Sequence, residues 1–293
     1  MKTEIRAEIT GTVWKVEVAE GARVAEGDTV VILESMKMEV PVESPASGTV
    51  LRLLVAPGQA IEDGDVLLEG YLAYDPSVSA TRPGIMVVHE WKGHGAYARR
   101  RAEMLAREGY VAFACDMYGK GVFAKDHEEA GALAGVFFKD RSKMRARAQA
   151  GLDVLRARPF VDKTKLAVIG YCFGGTTSLE CARAGFAGVC GVASFHGNLS
   201  APEPASAATL KAKIVVFHGA DDAGVAKGIP AFEAEMRAAK ADWQFVSYGG
   251  AVHSFTVPEA GDDPAKGAAY DAKADRRSFA ALKAFLAECF AAP

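Results

Sequence analysis

Cys172 sits in the run Gly170-Tyr171-Cys172-Phe173-Gly174-Gly175, behind an apolar segment at 166–169 and ahead of a segment with helical spacing. A residue placed so, at a sharp strand-to-helix turn, is a nucleophile elbow, here with cysteine where serine is usual. The glycines suit the turn, because the helix must pass so close to the strand that side chains would collide. A helix N-terminus behind the sulfur favours its thiolate. A buried structural cysteine beside a glycine-rich turn is the plain alternative, so the partners decide.

Two partners follow in order. Gly219-Ala220-Asp221-Asp222 comes after the apolar run 214–218, and His253 lies in Gly249-Gly250-Ala251-Val252-His253-Ser254-Phe255 after the run 243–248. Nucleophile, acid and histidine then occur in the chain order of α/β-hydrolases, each just beyond a strand. A free thiol is only slightly ionised at neutral pH, so it needs a base. His253 can take the thiol proton and later deprotonate water, while an aspartate fixes its tautomer and stabilises the imidazolium. Of the adjacent acids Asp222 is the expected one, from the spacing Gly219-x-x-Asp222-x-x-Val225, and Asp221 reads as a turn residue. His196 and His218, at or near strand ends in apolar runs, read as packing histidines.

These residues need a scaffold that delivers strand ends to one edge. From residue 71 onward, apolar runs at 84–89, 111–115, 166–169, 189–195, 214–218 and 243–248 alternate with amphipathic segments at 97–108, 141–156, 176–183, 228–240 and 271–287. That alternation predicts an α/β domain over 71–293 with a mostly parallel sheet.

Residues 71–293 resemble the dienelactone hydrolase family. Beyond the elbow, acid and histidine, the likeness rests on Val87-Val88-His89-Glu90-Trp91, Tyr97-Ala98-Arg99-Arg100-Arg101, Asp116-Met117-Tyr118-Gly119 and Ser194-Phe195-His196-Gly197. The resemblance implies an α/β-hydrolase fold and hydrolysis of a small ester or lactone through an acyl-cysteine intermediate. It implies that Glu90 contacts the resting thiol and helps form the thiolate. The backbone N–H groups of Trp91 and Phe173 stand where an oxyanion hole would form. Family members acting on dienelactone hold its carboxylate with arginines, one of them four residues past the histidine. Val257 stands there in this chain, which argues against the anionic dienelactone as the physiological substrate.

Residues 1–70 read differently. They contain a repeat offset by 37 positions, pairing Gly11-Thr12-Val13 with Gly48-Thr49-Val50 and Gly27-Asp28 with Gly64-Asp65. Short Val/Ile/Leu runs between tight turns predict a small all-β sandwich of two similar halves. Lys37, bracketed by Met36 and Met38, falls on the hairpin joining them. With Met36-Lys37-Met38 in that place, residues 1–70 resemble the biotinyl domain of biotin carboxyl carrier proteins. The resemblance implies biotin on Lys37, a biotin ligase as partner and a biotin-dependent carboxylase as a further one. It also raises a rival reading, a carrier subunit of a carboxylase whose α/β domain is an inert docking module.

Composition limits the other classes. Half of the residues are hydrophobic and 24% are charged, the profile of a folded globular protein. No apolar stretch reaches the roughly 18 residues that suggest a membrane span. The N-terminus lacks the apolar segment of a signal peptide, so the cytoplasm is the expected compartment. Five widely spaced cysteines, an odd number without a CxxC pair, suggest neither a disulfide framework nor a metal site. The net charge of −3 divides into −7 for residues 1–70 and +4 for the rest, and nucleic acid is not an expected partner.

Overall fold

A computed structural model describes residues 11–18, 22–35, 38–44, 48–49, 55, 58, 60–61, 70–119, 121–206 and 208–291. They fall into two compact units, one built chiefly from Met1–Glu69 and one chiefly from residue 70 onward. Each is taken by itself.

In the first unit, β1 (Gly11–Val16), β2 (Arg23–Val24), β3 (Thr29–Ser35), β4 (Met38–Glu43), β5 (Gly48–Thr49) and β6 (Ala60–Ile61) follow in order. Four form an antiparallel sheet in the order β4-β3-β1-β6, and β2 pairs with β5. Val13, Val30, Val31, Leu33 and Ile61 form its apolar centre. The β3–β4 ladder runs out to the pair Ser35 and Met38, and Met38 is exposed. Met36 and Lys37, between them, lie outside the described residues, as do 62–69, where the second Gly-Asp of the repeat, Gly64-Asp65, falls.

In the second unit the chain runs through β7 (Tyr71–Ala73), β8 (Arg82–Val88), α1 (Ala96–Arg107), β9 (Val111–Cys115), α2 (His127–Lys139) and α3 (Arg141–Arg156). It continues through β10 (Val161–Tyr171), α4 (Phe173–Ala184), β11 (Val189–Phe195), β12 (Lys213–Gly219), α5 (Ala223–Ala226), α6 (Ile229–Ala238), β13 (Trp243–Tyr248) and α7 (Ala272–Phe290). The strands make one seven-stranded sheet in the order β13-β12-β11-β10-β8-β9-β7. All neighbours pair in parallel except β7 with β9, where Tyr71, Leu72 and Ala73 meet Ala114, Phe113 and Ala112. The central strands are apolar at nearly every position because both faces are covered. Along β8, Met86 and Val88 face one buried cluster with residues of α3, α4 and α6, while Ile85 and Val87 face another with residues of α1 and α7.

The expected strands 111–115, 189–195 and 243–248 coincide with β9, β11 and β13. Two differences bear on the site. The helix expected from 176 begins at Phe173, directly after the elbow, so its first turn backs Cys172. Helix α2 was not expected at all. Its segment holds Gly131 and Gly135, and its apolar residues occur on all sides, with Val136 and Phe138 exposed. The amphipathic signal is therefore weak. The cap did carry a cue: the Asp126 side chain accepts from the Glu129 amide, and Glu129 accepts from the Lys125 amide.

Candidate active site

Cys172 stands between the end of β10 and the start of α4 with φ 54° and ψ −111°, a strained conformation for a residue with a Cβ. The geometry explains the flanking glycines. A Cβ on Gly170 would collide with the Gly174 carbonyl, and one on Gly174 would collide with the carbonyls of Val88 and His89 at the end of β8. Only a bare backbone lets α4 sit this low on the sheet.

The loops after β12 and β13 bring two of the expected partners together. Nδ1 of His253 is 2.7 Å from Oδ2 of Asp222. The other carboxylate oxygen, Oδ1, accepts from the backbone amides of Gly224 and Val225 at 3.1 Å each. Asp222 is buried, whereas Asp221 is exposed. Burial works against ionising Asp222, but its bond to His253 outweighs this and holds the pKa below the usual carboxylate value. Burial likewise opposes charge on His253. The bond to Asp222 and the neighbouring Cys172 sulfur, within hydrogen-bonding reach of the ring, push the His253 pKa up to about 10. The arrangement favours an imidazolium beside the Cys172 sulfur.

Glu90, just past β8, is also near His253. Burial pushes its carboxyl up to about 7, against the opposing influence of His253 and of the Ser254 hydroxyl, which donates to Oε1 at 3.4 Å. Among the described residues Glu90 makes no hydrogen bond to Cys172, whose sulfur neighbours His253.

Trp91 and Phe173 are brought to the same end of the sheet. Phe173 opens α4, so its amide has no carbonyl within the helix to bond. The Trp91 carbonyl accepts from the Tyr118 hydroxyl at 2.9 Å, and the Tyr118 ring packs 5.3 Å from that of Phe173. His89 fixes the adjoining backbone: its Nε2 accepts from the Met117 amide at 3.0 Å, which leaves the proton on Nδ1 to donate to the Glu90 carbonyl at 2.5 Å. Burial keeps this ring neutral, with its pKa down at about 4. Val257 is buried.

Three residues of this site were not expected in it. Tyr118 and Ser254 hold the Trp91 and Glu90 groups as described. His196, expected to be a packing residue, is indeed wholly buried, but its Nδ1 accepts from the Cys172 amide at 3.2 Å and its ring meets that of His253 at 5.1 Å. Its place in Ser194-Phe195-His196-Gly197, directly after β11, was the available signal.

A mostly parallel sheet with a nucleophile elbow after one strand, and an acid and a histidine after two later ones, is the α/β-hydrolase class. Residues 68–290 match the dienelactone hydrolase family, and the chain belongs to it. Residues 3–69 match the family described as biotin-requiring enzyme. Among solved structures, one named m3DLH is 39% identical with a TM-score of 0.72, over 76% of this chain and 93% of that one. A dienelactone hydrolase-like promiscuous phosphotriesterase, P91, from metagenomic libraries is also 39% identical, with a TM-score of 0.71 over the same shares. A protein of Mycolicibacterium smegmatis named as a biotinylated protein TB7.3 homolog is 57% identical over 42 residues, 14% of this chain and 59% of that one. No helix among the described residues is long and apolar enough to cross a membrane.

Proposed function

We propose that the chain hydrolyses an ester or lactone through an acyl-cysteine intermediate, with Cys172 as nucleophile, His253 as acid and base, and Asp222 as the residue that orients and charges His253. The observation that carries this reading is the Asp222–His253 bond at 2.7 Å, with the ring beside the Cys172 sulfur on the helix-backed elbow.

The Cys172 thiolate attacks the substrate carbonyl, forming the C–S bond while the carbonyl electrons move to oxygen. The amides of Trp91 and Phe173 receive that oxyanion. Groups of this kind contribute about 2.7–4 kcal/mol each where one has been removed from a comparable hydrolase. The oxyanion collapses, the C–O bond breaks, and the leaving oxygen takes the proton of His253. Neutral His253 then removes a proton from water as the water oxygen attacks the acyl carbon. Breaking the C–S bond releases the acid and restores thiolate and imidazolium. Glu90 in its carboxylate form steadies the imidazolium through these steps. The substrate is a small ester or lactone without a required carboxylate, because Val257 offers none of the cationic anchorage.

The second half of the proposal concerns Lys37, whose amine would carry biotin as an amide; biotin so held supplies a carboxyl-carrying group. The supporting features are the match of residues 3–69, the Met-Lys-Met sequence and the exposed end of the β3–β4 ladder at Met38. A biotin ligase and a biotin-dependent carboxylase are the partners that this reading assigns, and the cytoplasm is the compartment it assigns.

One experiment addresses both halves. Turnover of an activated short-chain ester and intact mass are recorded for wild type, Cys172→Ala and Lys37→Ala, each produced with a biotin ligase. The expected result is turnover lost only in Cys172→Ala and the mass of one biotin lost only in Lys37→Ala. Undiminished turnover by Cys172→Ala would reject the nucleophile, and wild type without biotin would reject the attachment.

A further inference from the structure

The strained conformation of Cys172 must be held by its surroundings. Its amide points at two acceptors, the Phe195 carbonyl at 3.0 Å and Nδ1 of His196 at 3.2 Å. His196 is itself left-handed, with φ 40°. The opposite ring nitrogen, Nε2, is 2.9 Å from the Thr256 hydroxyl oxygen, which is 2.7 Å from the Tyr97 hydroxyl. Arg101 closes the chain: Nε donates to the Tyr97 hydroxyl at 3.1 Å, and Nη2 donates to the Thr256 carbonyl at 2.7 Å and to Oδ1 of Asp275 at 2.6 Å. One buried line of hydrogen bonds thus runs from α7 through α1 and the loop after β13 to the amide of the elbow.

The directions in this line follow from its end. An amide donates into Nδ1, so that nitrogen carries no proton, and Nε2 of the neutral ring donates to Thr256. The chain admits no second proton on His196 without losing the bond to Cys172.

We propose that His196 is a positioning residue for the hydrolytic step, held as the neutral Nε2–H tautomer by Thr256, Tyr97 and Arg101 so that it fixes the Cys172 amide and presents an uncharged ring edge to His253. The inference rests on the reading of Cys172 as nucleophile and His253 as base. The charged and titratable groups around the ring support its neutrality. They are His253 after β13, Tyr171 and Cys172 at the end of β10, and Tyr97 and Arg101 on α1, with Asp275 of α7 taken up by Arg101. Burial, then His253 and Arg101, drive the His196 pKa well down. A charged His196 would oppose the imidazolium that His253 must become, only 5.1 Å away between ring centres.

Three substitutions separate the two ends of the ring. His196→Asn places an acceptor near the Nδ1 position but cannot reach Thr256. His196→Gln places a donor near the Nε2 position without the acceptor, and His196→Phe keeps a ring with neither. Steady-state kinetics with the activated ester, pH–rate profiles and the pH dependence of Cys172 alkylation by iodoacetamide are measured on each. Loss of the acceptor leaves the Cys172 amide to the Phe195 carbonyl alone and is expected to lower kcat about 10-fold, the scale of one net hydrogen bond, with KM unchanged. It is also expected to slow alkylation at neutral pH. His196→Asn should restore most of the rate that His196→Phe loses. Thr256→Val, which keeps the shape and removes the Nε2 partner, should lower kcat in the same way, and it decides the matter if the His196 variants do not fold.

Wild-type kcat and pH profile in the folded His196 variants, or in Thr256→Val if it alone folds, would overturn the positioning role. So would equal losses in His196→Asn and His196→Phe. Undiminished turnover by Cys172→Ala would instead overturn the underlying reading of the nucleophile, so the two failures are distinct.

Discussion

The Asp222 carboxylate divides its two oxygens between different tasks: Oδ2 meets His253 at 2.7 Å, while Oδ1 caps the short helix α5 through the amides of Gly224 and Val225. The same side chain is therefore both anchored and aimed. Asp222→Asn keeps the shape but offers its amide group to one of the two partners, and it should reduce kcat by about 10⁴-fold, as wrong-tautomer variants do. Asp221→Asn, at an exposed neighbour, should leave kcat within about twofold, since surface changes seldom matter much. Parallel kinetics on the two variants check the assignment, and a reversed order of effects would refute it.

Glu90 should give the enzyme a pH response. Its carboxyl is protonated below a pKa of about 7 and ionised above it, so a step needing the carboxylate speeds up as pH rises through that value. Glu90→Gln should flatten this rising limb in the pH–rate profile.

The same group should leave a mark on stability, with the opposite sign. The folded pKa of about 7 exceeds the ordinary 4.5, so the folded state holds the proton more tightly, and stability falls as pH rises from about 4.5 through 7. The full conversion is about 3 kcal/mol, which partial exposure to solvent reduces to about 1–2 kcal/mol. Glu90→Gln should therefore melt about 2–6 °C higher than wild type at pH 8.5 and at the same temperature near pH 4. Melting curves at the two pH values check this, and an equal gain at both would point to a cause other than ionisation.

Gly174→Ala should be costly. Its Cβ would meet the His89 carbonyl oxygen at 2.6 Å, and backbone of a central strand cannot move aside as a flexible side chain can. A loss of about 3 kcal/mol or more is expected, in the range set by core overpacking. Chemical denaturation measures it.

Glu180 and Arg183 of α4 belong to a buried ionic group in which Arg183 bonds Glu235 at 2.8 and 2.9 Å and Glu180 at 3.0 Å, and Arg145 bonds Glu180 at 2.9 Å. Arg183→Met leaves Glu180 to Arg145 but strands the Glu235 carboxylate, which should cost about 3–5 kcal/mol. Restoration by the double variant Arg183→Met/Glu235→Leu, measured by denaturation, would identify the stranded charge as the cause.

The legible parts of the molecule were those whose cause is local. The strands β9 and β11 announce themselves because burial on both faces forces continuous apolar runs. The elbow announces itself because close backbone approach demands glycine at 170 and 174. Long-range causes left little trace: nothing near Glu90 points to Ser254, 164 residues away, and nothing near His196 points to Thr256, 60 residues on. Helix α2 was missed for a different reason, since its apolar residues surround the helix and leave no single stripe to read.

The short strand β7 has a practical consequence. Tyr71, Leu72 and Ala73 occupy the outer side of β9, whose sequence Val-Ala-Phe-Ala-Cys is apolar throughout and buried. A shortened chain starting after Tyr74 would retain every residue of the proposed catalytic machinery. It would also expose the unpaired amides and carbonyls of an apolar sheet edge, a template for pairing with other chains. Removing β7 should therefore convert a chemically intact hydrolase into an aggregating one.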